Sequence, residues 1–108
     1  MTITPAEFQV LVALADGEKH GYAIGKEVTA RTNGQVQLRA ATLYTVIKRL
    51  LDNGFIDESP ARPDPALDDE RRRYYRLTAR GRKAAEHEAL RMETTVKQAR
   101  AKLRLRKA

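Results

Sequence analysis

The chain has no cysteine, which excludes disulfides, thiolate metal sites and cysteine nucleophiles together. It has no tryptophan, and only four tyrosines and two phenylalanines, so large aromatics are scarce. Apolar residues nowhere run to the ~18 positions that crossing a bilayer requires. The N-terminus lacks the basic-then-apolar pattern of a signal peptide. No Ser/His/Asp grouping, no glycine-rich phosphate loop and no carboxylate pair in an apolar setting occurs, so no enzyme is expected. His20 falls at a helix start, where capping or packing is the expected role. His87 has no histidine or acidic partner at ligand spacing, so neither a metal nor another cofactor is expected. The expectation left is a soluble, cytoplasmic binding protein.

Positive charge is what the chain has in excess, and it is unevenly placed. The net charge is +7 over 108 residues. Residues 1–35 carry three Lys/Arg against four Asp/Glu, and residues 36–60 carry three against three. Residues 61–108 hold fifteen against seven. An excess confined to one half points to a face for nucleic acid or another polyanion rather than to general solubility. A chain of this length is one domain with a small core, for which help from a partner subunit is reasonable.

Local signals place the elements. Thr4, Pro5 and Glu7 form a capping box with proline at the first helical position. Phe8, Leu11, Val12 and Ala15 then share a helical face, and Asp16-Gly17 stops the helix. A second helix runs from about His20-Gly21 to Thr32, where Asn33-Gly34 ends it with a left-handed turn. Gly25 inside that helix hints that another element packs close. Val36-Gln37-Leu38 reads as a very short strand. From Ala40 to Asp52, Leu43, Val46, Ile47, Leu50 and Leu51 make a sharply one-sided helix. Phe55 to Ser59 and Arg72 to Leu77 read as strands around a proline-broken loop. Thr78 caps a final helix that reaches about Leu103, with a frayed tail beyond.

The order helix, helix, helix, strand, loop, strand, helix is that of a winged helix-turn-helix. The expected fold class is mainly α with a two-stranded β wing and a long C-terminal dimerisation helix. Residues 1–78 form the reading domain and residues 79–108 the dimerisation helix, within one compact unit.

Three faces carry the chemistry. On the third helix, opposite the core stripe, lie Ala41, Thr45, Lys48, Arg49 and Asp52, with Thr42 and Tyr44 flanking. Small, hydroxylated and basic residues suit entry into a major groove about 12 Å wide, although a solvated helix face has the same composition. On the wing, Tyr75 and Leu77 alternate inward. Arg72, Tyr74 and Arg76 alternate outward beside Arg71 and Arg73, as donors for phosphate. On the last helix, Ala85, Ala89, Met92, Val96, Ala99 and Leu103 are separated by four, three, four, three and four residues, the spacing of a coiled-coil seam. Three of those six residues are alanine, so the seam is thin, and Phe8 and Leu11 of the first helix are expected to share the interface.

Three segments together resemble the PadR-type transcriptional regulators. His20-Gly21-Tyr22-Ala23-Ile24 is similar to that family's His-Gly-Tyr opening of the second helix. Ala41-Thr42-Leu43-Tyr44, with Ile47-Lys48-Arg49-Leu50 and Gly54-Phe55-Ile56, resembles its Gly-Thr-Leu-Tyr recognition helix and following strand. Arg73-Tyr74-Tyr75-Arg76-Leu77-Thr78 with Gly81 resembles its wing strand. The match covers about residues 4 to 83, and the single C-terminal helix resembles the small subclass. Ala41 stands where the motif has glycine, and the chain lacks the tryptophan that stacks planar ligands in some relatives.

The resemblance implies a homodimeric repressor that binds a pseudo-palindromic double-stranded operator. Its DNA contacts would come from Thr42, Tyr44 and the wing arginines and tyrosines. It also implies release from DNA by a small aromatic or lipophilic effector, held in a cavity at the dimer interface. Two alternatives stay open at this point: a protein-interaction module whose basic helix docks an acidic partner, and a small-molecule sensor that uses the fold without specific DNA readout.

Overall fold

The computed structural model of the chain describes residues 2–59 and 73–105. Helix α1 spans Pro5–Ala13. Its capping box is formed: the Glu7 amide donates to Thr4 Oγ1 at 3.1 Å, and the Thr4 amide donates to Glu7 Oε1 at 2.8 Å. Strand β1 is the pair Lys19–His20 and leads directly into α2, Gly21–Arg31. Helix α3 spans Ala40–Asp52, strand β2 Ile56–Glu58, strand β3 Tyr74–Leu77 and helix α4 Ala79–Leu103.

The element order is the expected one with a strand added. Among the described residues the sheet has three strands, not two, in the order β1-β3-β2 and antiparallel throughout. Ile56 pairs with Leu77 and Glu58 with Tyr75, while Lys19 pairs with Tyr75 and His20 with Tyr74. The wing strand β3 is therefore the middle strand, and β1 ties it to the start of α2. The segment 36–38 is not a strand. The Val36 amide donates to Thr32 Oγ1 at 3.0 Å, so a side chain satisfies it in place of a strand partner, while Val36 and Leu38 pack on the core.

The core sits where α1, α2, α3 and the sheet meet. It contains Val10, Leu11, Leu14, Ile24, Val28, Leu43, Val46, Ile47, Leu50, Phe55, Ile56 and Tyr75. The apolar stripe read from residues 43 to 51 is its α3 wall. Leu43 is also the close neighbour of Gly25: its Cδ2 lies 3.4 Å from where a side chain on that glycine would begin. Leu11 is 0 % exposed. Its expected place in a dimer interface is thereby corrected: it is buried within this chain's own core.

Candidate nucleic-acid interface

Helix α3 presents to solvent the face opposite its core stripe. Ala41, Thr42, Thr45, Lys48, Arg49 and Asp52 are all exposed, while Leu43, Val46, Ile47 and Leu50 are buried. Lys48 is held loosely by Asp52, with Nζ 3.8 Å from its carboxylate. Arg49 has no ion pair among the described residues. Among the described residues no side chain caps the first turn of α3, and the positive end of the helix dipole lies at that turn. The capping position itself holds Arg39, exposed and without an ion pair among the described residues. Sequence reasoning missed this cation because only the residues inside the helix were placed on its face.

Tyr44 stands apart from the exposed set. It is half-buried, and its hydroxyl oxygen is buried beside Gly21. A Cβ on Gly21 would come within 2.7 Å of that hydroxyl and 2.8 Å of the ring, so Gly21 opens the space into which Tyr44 locks. The ring thus fixes the entry of α3 against the start of α2. That start is itself well held. His20 caps α2 through Nδ1, which accepts from the Ala23 amide at 3.1 Å, and the Gly21 amide donates to the Arg73 carbonyl at 3.3 Å. The His20 ring meets Tyr74 edge-on, with centroids 5.5 Å apart. Helix α2 and the wing strand are therefore joined at this point. Tyr22, exposed, and Lys26, 5.1 Å from its ring centre, border an apolar cleft of about 440 Å³ between α2 and α3.

The wing carries cations that already have carboxylate neighbours. Arg76 is exposed on the outer side of β3, and its Nε donates to Asp57 of β2 at 2.7 Å. That hydrogen bond, with the carboxylate's charge, raises the guanidinium pKa above its ordinary value. Arg73 is half-buried, with Nε 3.9 Å from the Glu58 carboxylate. Tyr74 is half-buried against His20, and Tyr75 is buried, as the alternation requires. Arg71 and Arg72 lie outside the described residues.

Thr78 joins the wing to α4. Its hydroxyl accepts from the Gly81 amide at 3.0 Å and donates to the Gly54 carbonyl at 2.7 Å, and its amide donates to the Phe55 carbonyl at 3.1 Å. The first turns of α4 pack on the domain: Ala84 and Ala85 rest on the core, and Arg82 reaches the Ala15 carbonyl at 3.0 Å. Beyond Ala89 the helix leaves its own domain behind. Met92, Val96 and Leu103 are 43 %, 51 % and 67 % exposed. Half-buried Phe8 joins Ala89, Met92 and Val96 around a hollow of about 440 Å³. Leu90, 63 % exposed, points away from this row, since it is out of phase with the seam.

A statistical model of the PadR-like transcriptional regulator family matches residues 10–87, the stretch that holds α2, α3, the wing and the first turns of α4. The chain belongs to the PadR-like transcriptional regulator family. It is accordingly a DNA-binding transcription regulator with a winged helix. A transcriptional regulator from Clostridium thermocellum has a similar structure, with a TM-score of 0.73 at 28% identity, over 88% of this chain and 89% of that one. Bacillus subtilis PadR, solved in complex with operator DNA, shares the fold with a TM-score of 0.66 at 22% identity, over 82% of this chain and 48% of its own. An uncharacterised protein of Lysinibacillus sphaericus is 34% identical over 73 residues, which are 68% of this chain and 64% of that protein. This PadR-like chain thus spans less than two thirds of that relative. Among its described residues no helix is long and apolar enough to cross a membrane.

Proposed function

We propose that this PadR-like regulator is a homodimeric repressor whose two α3 helices enter successive major grooves of a pseudo-palindromic operator. The observation that carries this reading is the division of exposed surface. A small, hydroxylated and basic face on α3 lies opposite the core, and an apolar ridge on α4 extends past the domain. The first suits a groove, and the second suits a copy of itself. Thr42 and Thr45 lie nearest the bases, with Arg39, Lys48 and Arg49 on the flanking phosphates. Tyr44 holds α3 in place. Arg76 reaches phosphate only by leaving Asp57, and Arg71 and Arg72 are proposed as further phosphate donors. The dimer is formed by Met92, Val96, Ala99 and Leu103, with Phe8, Ala85 and Ala89 at its near end. Repression follows from occupancy of the operator.

A small apolar effector acts, in this reading, from the hollow beside Phe8, Ala89, Met92 and Val96, which the partner helix would roof. Its volume is in the range that holds a small ligand. A ligand there shifts α4, and α4 is pinned to the wing through Thr78. Reciprocity requires that such a ligand bind DNA-bound protein more weakly, by the same factor by which it weakens DNA binding.

The test is selection of bound duplexes from a random pool at ~150 mM salt, with sedimentation of the free protein. A recovered inverted repeat with half-sites about one helical turn apart, read by a dimer, is the expected result. A protein that retains no duplex preferentially at that salt overturns specific readout and leaves the interaction-module reading. A monomer at micromolar concentration overturns the seam.

A further inference from the structure

The chemistry of the α3 face is less polar than its composition suggests. Thr45 lies in the middle of the helix and is exposed, but its hydroxyl donates to the Ala41 carbonyl at 2.8 Å. The single hydroxyl proton is thus spent on the helix's own backbone, one turn back. What the side chain leaves for an incoming partner is chiefly its methyl group. Ala41, the residue one turn before it, is also exposed and offers only a methyl. Residues four apart on a helix are neighbours, with Cβ atoms ~5–6 Å apart. At ~100° per residue both lie opposite the buried row Leu43, Val46, Ile47 and Leu50, so they form the ridge that faces farthest from the core. Polar and charged groups border this ridge: Thr42 and Arg49 on one side and Lys48 on the other.

In the major groove one base edge carries an apolar mark. Thymine presents its 5-methyl group, which distinguishes T·A from C·G by contact and not by hydrogen bonding. We propose that Ala41 and Thr45 are the specificity-determining residues that read the 5-methyl group of a thymine in each half-site. The inference rests on the DNA-binding reading above and adds to it the base being read and the chemistry used. Neither residue recognises that base through a donor. Ala41 and Thr45 close a methyl-sized apolar contact over it, and a cytosine at that position leaves the two side chains facing a polar edge with nothing to cover. The flanking cations hold the helix at the depth where this contact is made.

The experiment uses the full chain and the duplex recovered by selection, with each groove-facing thymine replaced in turn by uracil, which removes only the 5-methyl group. One position per half-site is expected to weaken binding roughly fourfold, the equivalent of the ~0.8 kcal/mol that a buried methyl group is worth. Replacement in both half-sites is expected to cost about fifteenfold. In Thr45→Ser, which keeps the hydroxyl and its bond to Ala41, and in Ala41→Gly, the penalty for uracil is expected to shrink toward onefold. In Thr45→Val, which keeps the methyl and discards the hydroxyl, the penalty is expected to persist. Cytosine at the same position is expected to bind weakly and 5-methylcytosine to recover much of the loss.

If uracil is silent at every position, or its penalty is unchanged in Thr45→Ser and Ala41→Gly, the methyl reading is overturned and the DNA reading stands. A uracil penalty lost in Thr45→Val but kept in Thr45→Ser would assign the readout to the hydroxyl and overturn it equally. A pool that yields no preferred duplex overturns both together. Circular dichroism melts of the three variants establish that each is folded before its affinity is compared.

Discussion

Single residues decide how closely the elements approach. A Cβ on Gly81 would lie 1.9 Å from the Phe55 carbonyl oxygen and 2.8 Å from its carbon. Those are backbone atoms, so nothing short of moving α4 off the β2 turn relieves the clash. Gly81→Ala is expected to lower stability by about 3 kcal/mol, at the upper end of what overpacking usually costs, and to drop the melting midpoint by roughly 15 °C. Gly25→Ala is the matched control. Its Cβ would meet Leu43 at 3.4 Å, an ordinary contact, and the alanine is the better helix former by ~1 kcal/mol. A thermal melt in which both variants behave alike would overturn this account of Gly81. At the same scale, the cations separate into those without and those with an ion partner among the described residues. Arg49→Ala is expected to weaken binding to every duplex by a similar factor and to reduce the slope of affinity against salt by about one. Arg76 must first leave Asp57 at 2.7 Å, so Arg76→Ala is expected to change that slope less. Salt titrations giving Arg76→Ala the steeper loss would reverse the ranking.

Elements with their own start and stop signals were readable in the sequence, and those defined by their partners were not. Helix α3 was legible end to end, because its stripe from Leu43 to Leu51 and the Asn53-Gly54 stop are local. The capping box of α1 and the Thr78 cap of α4 were legible for the same reason. Strand β1 was not, since two residues carry no periodicity and Lys19–His20 is a strand only because β3 lies beside it. Leu11 was misread because a helical face reports that something covers it, not whether the cover belongs to the same chain. Tyr44 was read as a groove residue because its helical angle alone does not show the space left open by Gly21. Thr78 shows how one side chain can bind two elements: it caps α4 and holds the Gly54 carbonyl. Thr78→Ala is expected to cost about 1–2 kcal/mol, a capping loss compounded by an abandoned carbonyl. Because that contact joins the wing to α4, amide exchange is expected to quicken in β2 and in the first turn of α4 while α2 stays protected. Uniform quickening across the chain would show that Thr78 contributes only to global stability.

For the whole molecule, the question is how the proposed reading and pairing are joined along one helix. Helix α4 has 25 residues, about 37 Å at ~1.5 Å per residue. Its first turns are fixed to the reading domain by Gly81, Arg82 and Thr78, and its later turns carry the exposed ridge Met92, Val96 and Leu103. No hinge separates the two parts, since the helix is unbroken from Ala79 to Leu103. In the proposed dimer, the angle between the two α3 helices is therefore set by the phase of α4. Inserting two alanines after Leu90 turns the ridge by ~200° relative to the reading domain, while Met92, Val96, Ala99 and Leu103 keep their spacing to one another. That variant is expected to remain a dimer by sedimentation and to bind an isolated half-site as the parent does. Its affinity for the two-half-site operator is expected to fall by about 100-fold, because avidity is lost when geometry forbids simultaneous engagement. Met92→Glu with Val96→Glu is expected to reach the same loss by another route, as a monomer with unchanged half-site binding, since both side chains are exposed and their replacement leaves the core intact. Should the insertion leave full-operator affinity at the parent's value, pairing would not run through α4, and the ridge would have to be covered by something other than a second copy of this chain.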